Sequence, residues 1–373
     1  MRAKILRLIT FTLAVLSMTS ISPSAYAQNA NVVILSDVFH REVNGKFTDD
    51  SLGLSISPTG NLYEKVANAP KESTWVIDPQ LIEEILDMSD GYKVLPDQEG
   101  FYTDAAISFL AMLRTTIAAN QIFALPYGSP NIAERKKISD IEFSQIQNIS
   151  SLRLGRALDL PISAGLPDSF PESEKSVGAG ARKAFDLLHK MLNKITAITA
   201  DPEVAEVSLR SNALLNPDLS RKRIQYLSIS LKGTVDRLEK RVKVLPGKYT
   251  LTSTNEKIPV TIVNQFSAPA EVILILHAEN SRVVIDTAQR VTIPEKSRKQ
   301  VLITAKAIAN GKVRIETRLE TITGARYGET SFLLFTISMI GPVITWVMIG
   351  AGILLLGASG IQIYRRAQRK VVS

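Results

Sequence analysis

The 373-residue chain has no cysteine and only three histidines, His40, His189 and His277. The first absence excludes disulfide staples, thiolate chemistry, cysteine metal sites and a lipid-modified cysteine. It suits an exported bacterial protein better than an animal cell-surface receptor. The scarcity of histidine leaves no pair at metal-binding spacing. A phosphate-binding glycine loop, a Gly-x-Ser-x-Gly elbow and a paired-His helix motif are also missing, so no cofactor, metal or catalytic residue is assigned. One long stretch lacks charge altogether. From Ser331 to Tyr364 there is no Asp, Glu, Lys or Arg, and the run stops at Arg365, Arg366, Arg369 and Lys370.

That stretch reads as a membrane span with a basic stop. About 20 helical residues cross roughly 30 Å of hydrocarbon, so a transmembrane helix is expected at 340–363 and a basic cytoplasmic tail at 364–373. At the other end, Arg2, Lys4 and Arg7 precede an apolar run and then Ala25-Tyr26-Ala27. This tripartite order predicts a signal peptide over 1–27 with cleavage after Ala27. Positive flanks stay cytoplasmic, so the expected product is a single-pass protein of the cell membrane, N-terminus outside and C-terminus inside, with the lipid bilayer as one partner.

The net charge of +8 does not indicate nucleic acid. Three of the positive charges stand in 1–27 and four in 364–373, and neither segment holds Asp or Glu, so the part between is nearly neutral. No basic footprint is left there for a phosphate backbone.

Between these ends the hydrophobic period changes twice. Residues 32–39 and 74–79 and the run 121–130 read as buried strands alternating with helices at 61–69, from Pro79, and at 103–120, the last with Ile107, Leu110, Leu113 and Ile117 on its buried stripe. Such order predicts an α/β domain of parallel βα units over 28–135. Ligand sites in these folds lie beyond the carboxyl ends of the strands, which makes Asp37, His40, Asp78 and Tyr127 the possible ligand-binding residues. Asp78 also precedes Pro79, as a helix N-cap would.

Residues 136–241 read as a helical region. One helix follows Gly178 with Ala181, Phe185, Leu188, Leu192 and Ile195 on its stripe, and another is expected to start at Asn216-Pro217. Its Arg221, Lys222 and Arg223 read as a solvated face. From Val242 seven short runs with period 2 predict an all-β immunoglobulin-like sandwich over 242–338, folding separately from what precedes Leu245-Pro246-Gly247. Asn310-Gly311 is expected to close a type I′ hairpin.

The segments TWVIDPQLIEEILDMSDGYKVL and QIFALPYGSPNIAE, with the C-terminal portion from about 240 to 365, resemble an uncharacterised actinobacterial family of signal-bearing, single-pass envelope proteins. That family is a domain of unknown function, typically encoded near the lipid II flippase. The resemblance implies a reduced barrel related to sugar-active enzymes, an immunoglobulin-like module and a transmembrane helix. Where the family pattern reads LPYADPD this chain has LPYGSPN, so an acidic residue is absent from that loop. The reading is a non-catalytic binding or scaffolding protein of the cell envelope, its partner a cell-wall polymer or an envelope membrane protein. The alternative is a glycan-active hydrolase or deacetylase, which needs two carboxylates about 5 to 10 Å apart or a metal-activated water.

Overall fold

The computed structural model describes residues 31–171, 173, 175–339 and 342–370. The expected leader 1–27, with its cleavage after Ala27, and Ile340 lie outside the described residues. So do the side chains of Arg365, Arg366, Arg369 and Lys370, although the backbone there is helical.

The N-terminal part is built on three parallel strands in the order β1 (Asn31–Leu35), β2 (Ser73–Ile77) and β5 (Ile122–Ala124). Leu35 lies opposite Ile77, and Ile77 opposite Ala124. These strands are apolar at nearly every position because both sheet faces are covered. Leu35, Trp75, Ile77, Ile122 and Ala124 pack with α3 (Pro79–Ser89), α4 (Thr103–Ile117) and the end of α6 (Asp140–Leu158). On the opposite face Val76 and Phe123 meet Leu166 and Phe170, which lie on an irregular segment. The connections carry α1 (Ser51–Ile56), α2 (Asn61–Ala67), a small hairpin of β3 (Lys93–Val94) and β4 (Gln98–Glu99), and α5 (Ile132–Ile138).

Several local expectations change. Asn61 has the side chain expected of an N-cap for the helix at 61–69, but Gly60 is the N-cap of α2, and the polar stretch before it contains α1. In α4 the buried face runs through Ala106, Phe109, Leu110, Leu113 and Ile117, while Ile107 is half exposed, one position off the stripe.

The helical region holds α7 (Ala179–Thr196), α8 (Pro202–Ser211), a 3-10 turn (Asn212–Leu215) and α9 (Arg221–Glu239). The expected helix start at Asn216-Pro217 is not one. Asn216 ends the 3-10 turn and its Oδ1 accepts from Asp218 N at 2.9 Å, whereas Ser220 caps α9 by accepting from Arg223 N at 3.3 Å.

The β region is a two-sheet sandwich of nine strands rather than seven. One sheet runs β10 (Val283–Ile285), β12 (Ser297–Ala307), β8 (Asn255–Asn264), β6 (Val242–Val244). The other runs β11 (Ala288–Ile293), β9 (Ala270–Ala278), β13 (Gly311–Glu320), β14 (Arg326–Ile337), β7 (Gly247–Leu251). Strands β12 and β13 belong to different sheets, so Asn310-Gly311 is a crossover and not a hairpin. Asn310 has no positive φ, as a type I′ turn would require, and only Gly311 does, at 137°. Asn310 Oδ1 instead accepts from Met339 N at 2.8 Å.

The period switch near Leu245 is not a break in packing. Leu188, Leu192, Leu231, Val235 and Leu238 share one apolar core with Val260, Val272, Ile315 and Tyr327 of the sandwich. Asp201 both caps α8 and accepts from Ser267 N and Oγ at 2.7 and 2.6 Å. Glu271 N donates to Ile198 O at 2.8 Å.

After the sandwich comes α10 (Pro342–Lys370), in which the 18 residues Trp346–Ile363 are uncharged, predominantly apolar and not buried within the structure. At about 1.5 Å per residue this window is roughly 27 Å long, enough to cross a bilayer with little tilt.

Candidate functional site

The carboxyl ends of the three strands gather two of the four expected residues into one charged cluster, place a third beside it, and send the fourth elsewhere. β1 leads into the loop carrying Asp37 and His40. His40 is buried, its Nε2 lies 3.4 Å from Asp37 Oδ2, and its Nδ1 lies 3.2 Å from Ser51 Oγ and 3.8 Å from Asp49 Oδ1. Burial disfavours the imidazolium, but the neighbouring carboxylates of Asp37 and Asp49 and the charge of Glu84 outweigh it and push the His40 pKa up to about 9. Asp49 is held well below the usual carboxylate range by His40.

Glu84 sits under this loop on α3, fully buried. Its carboxylate accepts from His40 N and Arg41 N at 3.3 Å and from Gln80 Nε2 at 3.1 Å. Burial nonetheless pushes its pKa up. The residue carries a signal that sequence reading missed: Gln80 and Glu84 are four apart on one helical face, a spacing at which side chains pair.

Asp78, at the end of β2, caps α3. Its Oδ1 accepts from Gln80 N at 2.9 Å and Gly128 N at 3.2 Å, and its Oδ2 accepts from Ser129 Oγ at 2.6 Å. No part of it reaches solvent. Desolvation outweighs these donors and pushes its pKa up to about 7. Gln80 therefore bridges Asp78 and Glu84, the two buried carboxyl groups. Ser129 stands where the LPYADPD pattern carries its first Asp, and it supplies a hydroxyl donor to Asp78 in place of a second carboxylate.

Tyr127 points away from this cluster. It is buried, its hydroxyl donates to Glu83 Oε2 at 3.0 Å, and Arg153 lies 4.8 Å above its ring. Burial and the Glu83 charge push its pKa up. Arg153 also pairs with Glu83 and with Glu206 of α8 at 2.6 and 2.5 Å.

The face where a substrate would enter is covered by the helical region. Ala213 of the 3-10 turn presses on Gly128, where an added Cβ would lie 2.9 Å from it; Gly128 has φ 80°. Asn131 N donates to Leu215 O at 2.8 Å, and Arg135 Nε to Asn212 Oδ1 at 2.9 Å. Arg223, expected on a solvated face, reaches from α9 to donate to Phe39 O at 2.8 Å and pairs with Asp49 at 3.0 Å. A cavity of about 350 Å³ lies beside this contact, between the 39–49 loop and α9. Asp49 and Arg223 line it, but Asp78 and Glu84 do not. Among the described residues no group of three or more His, Asp or Glu is placed to hold a metal ion.

Residues 190–371 match the model of a family described as a family of unknown function (DUF6049). The match takes in the C-terminal end of α7, then α8, α9, the sandwich and α10, and does not include the resembling stretch at 32–135. No curated protein matches the chain. Similar solved structures include WR4, an MSP family member of C. elegans, at 9% identity over 26% of this chain and 98% of that one, TM-score 0.21. PapD-like domain 7 of human CEP192 is 8% identical over 27% of this chain and 87% of its own, TM-score 0.20. The E. coli chaperone DraB is 10% identical over 26% and 55%, TM-score 0.19.

Proposed function

We propose that the chain is a single-pass, membrane-anchored protein of a bacterial envelope, actinobacterial by the resemblance above, that binds or scaffolds at the cell wall without catalysis. One observation carries the non-catalytic reading: Asp78 and Glu84, the buried carboxyl pair at the strand ends, are sealed from solvent. A glycosidase pair must both reach a bound sugar, from opposite sides of the bond to be broken. Here every acceptor contact of Asp78 is to a backbone amide or to Ser129. The cluster then serves to tie the N-terminal sheet to the helical region through Arg223.

Anchoring is supported by α10, whose apolar window suits a bilayer. The basic residues at its C-terminal end, after the apolar window, favour a cytoplasmic C-terminus. For the domain boundaries, we take the sheet-bearing part to run to about 170, because Leu154, Leu158, Leu166 and Phe170 pack on its sheet, and the helices from 178 to 241 to form one unit with the sandwich, because they share its core.

The test uses residues 28–338 purified and mixed with isolated cell-wall fractions, following both retention on the wall and release of reducing sugar or acetate. Retention without release is expected. Release that is lost on substituting Asp78 or Glu84 would overturn the non-catalytic reading.

A further inference from the structure

The end of the sandwich nearest α10 is set by topology. Strand β14 ends at Ile337, opposite Gly311 of β13 and Leu251 of β7. Ala307 ends β12 beside Val283 of β10. The 252–254, 279–282 and 308–310 loops therefore surround the chain as it leaves for the helix. Asn310 fixes that exit through two bonds to the Met339 backbone, from its N at 2.8 Å and to its O at 3.5 Å. Three residue steps from Met339 to Pro342 reach at most about 11 Å. Trp346 begins the apolar window one helical turn later. This rim is thus held within reach of the lipid headgroups whatever the angle of the helix.

Its side chains suit that position. Arg282, Lys306, Lys312 and Lys257 are exposed there, and none has an ion-pair partner among the described residues. Of the three acids at this end, Glu279 pairs with Arg314, Glu256 accepts from Thr252 N and Ser253 N at 2.7 and 2.8 Å, and Asp286, level with Lys257, is exposed without an ion-pair partner among the described residues. Ile308, at the tip of its loop, is 52% exposed, and Val284 beside Lys306 is 57% exposed. Unpaired cations around an apolar tip are the pattern of a surface that seats on anionic lipid.

We propose that this rim docks on the anionic headgroups of the bilayer that α10 spans, with Ile308 inserted between them, so that the sandwich stands upright on the membrane. The proposal rests on the reading of α10 as a span. The absence of cysteine makes a single label unambiguous. The full chain carrying Ile308→Cys, labelled with an environment-sensitive dye, is reconstituted into vesicles of phosphatidylcholine alone or with 30% phosphatidylglycerol. A Thr323→Cys label marks the opposite end, roughly 30 Å away along β13 and β14.

With phosphatidylglycerol the 308 label is expected to shift to shorter emission wavelength and to be quenched by a lipid-phase quencher. The 323 label stays aqueous, and reversing Arg282, Lys306 and Lys312 to Glu abolishes the 308 shift. A 308 label as aqueous as the 323 label overturns the docking, as does an equal shift in phosphatidylcholine alone, and so does entry of both labels into lipid. Carbonate-washed flotation separates the two readings. A chain that fails to float defeats the span and the docking together, whereas one that floats with an aqueous 308 label defeats the docking only.

Discussion

Ser129 Oγ donates a 2.6 Å hydrogen bond to Asp78 Oδ2, and this contact holds the loop after β5 against the carboxyl end of β2. The loop residue that would be acidic in the LPYADPD pattern is thereby a donor to a buried carboxyl group. Ser129→Ala should cost about 1–3 kcal/mol, the usual cost of leaving a buried acceptor unpaired. Ser129→Asp should cost more at pH 8 than at pH 5, because two adjacent carboxylates cannot both ionise without repulsion. Urea melts at the two pH values measure this. An Asp variant equally stable at both would contradict the contact.

Asp78→Asn should be at least as stable as the parent chain at pH 8. Its amide can keep the cap to Gln80 N and donate to Ser129, while the cost of burying a charge disappears. Asp78→Ala should lose on the order of 1 kcal/mol or more through the missing cap. The order Asn above Ala in thermal melts is the prediction, and wall retention should be equal for Asn and parent. A stable Asn variant that no longer binds wall would make Asp78 a ligand contact.

Stability should fall as pH rises across the neutral range. The folded pKa of His40 is raised to about 9 from 6.5, so its contribution is complete below about 6.5 and lost as pH climbs through 9. Asp78 is raised to about 7 from 3.8, so the folded state binds more protons there and its term declines between those values. Each pH unit inside such a window changes stability by at most about 1.4 kcal/mol per group. His40→Gln should flatten the decline above pH 7 while lowering stability at pH 6. Denaturant titrations from pH 5 to 9 decide the matter, and an unchanged slope in the variant would refute the role of His40.

Arg223→Met should loosen the N-terminal part from α9 without unfolding either. The substitution removes the bond to Phe39 O and the pair with Asp49 but retains an apolar stem. Amide exchange should accelerate in the 39–51 segment and stay slow in β8 and β9. Uniform acceleration would mean that the arginine supports the whole fold.

A fragment of 242–338 should melt well below one of 178–338. Without α9, Tyr327 loses its cover and its hydroxyl contact to Leu238 O at 3.4 Å. For a domain near 100 residues, each 1 kcal/mol lost lowers Tm by about 4–8 °C. Equal melting temperatures would restore the sandwich as a separate unit.

The sequence alone was sufficient wherever a signal is local and periodic. The uncharged run ending at Arg365 marks α10, the Asp78-Pro79 pair marks a capped helix, and the apolar runs 32–35 of β1 and 75–77 of β2 report a sheet covered on both faces. Each of these depends on residues within a few turns of one another. The partners of a side chain that reaches across the fold were decided only by tertiary structure. Asn310-Gly311 has the composition of a hairpin, but β12 and β13 pair with different strands, and Asn310 is spent on Met339. Arg223 sits in a basic triplet that resembles a solvent face, and only the packing of α9 against the 39–49 loop aims it at Asp49. Glu84 is the only charged residue on the buried side of α3, and nothing nearby in the chain shows that the loop carrying His40 will close over it. Burial is a property of what arrives from elsewhere in the chain, so the cluster's charges could be read before its geometry, and its seal only after.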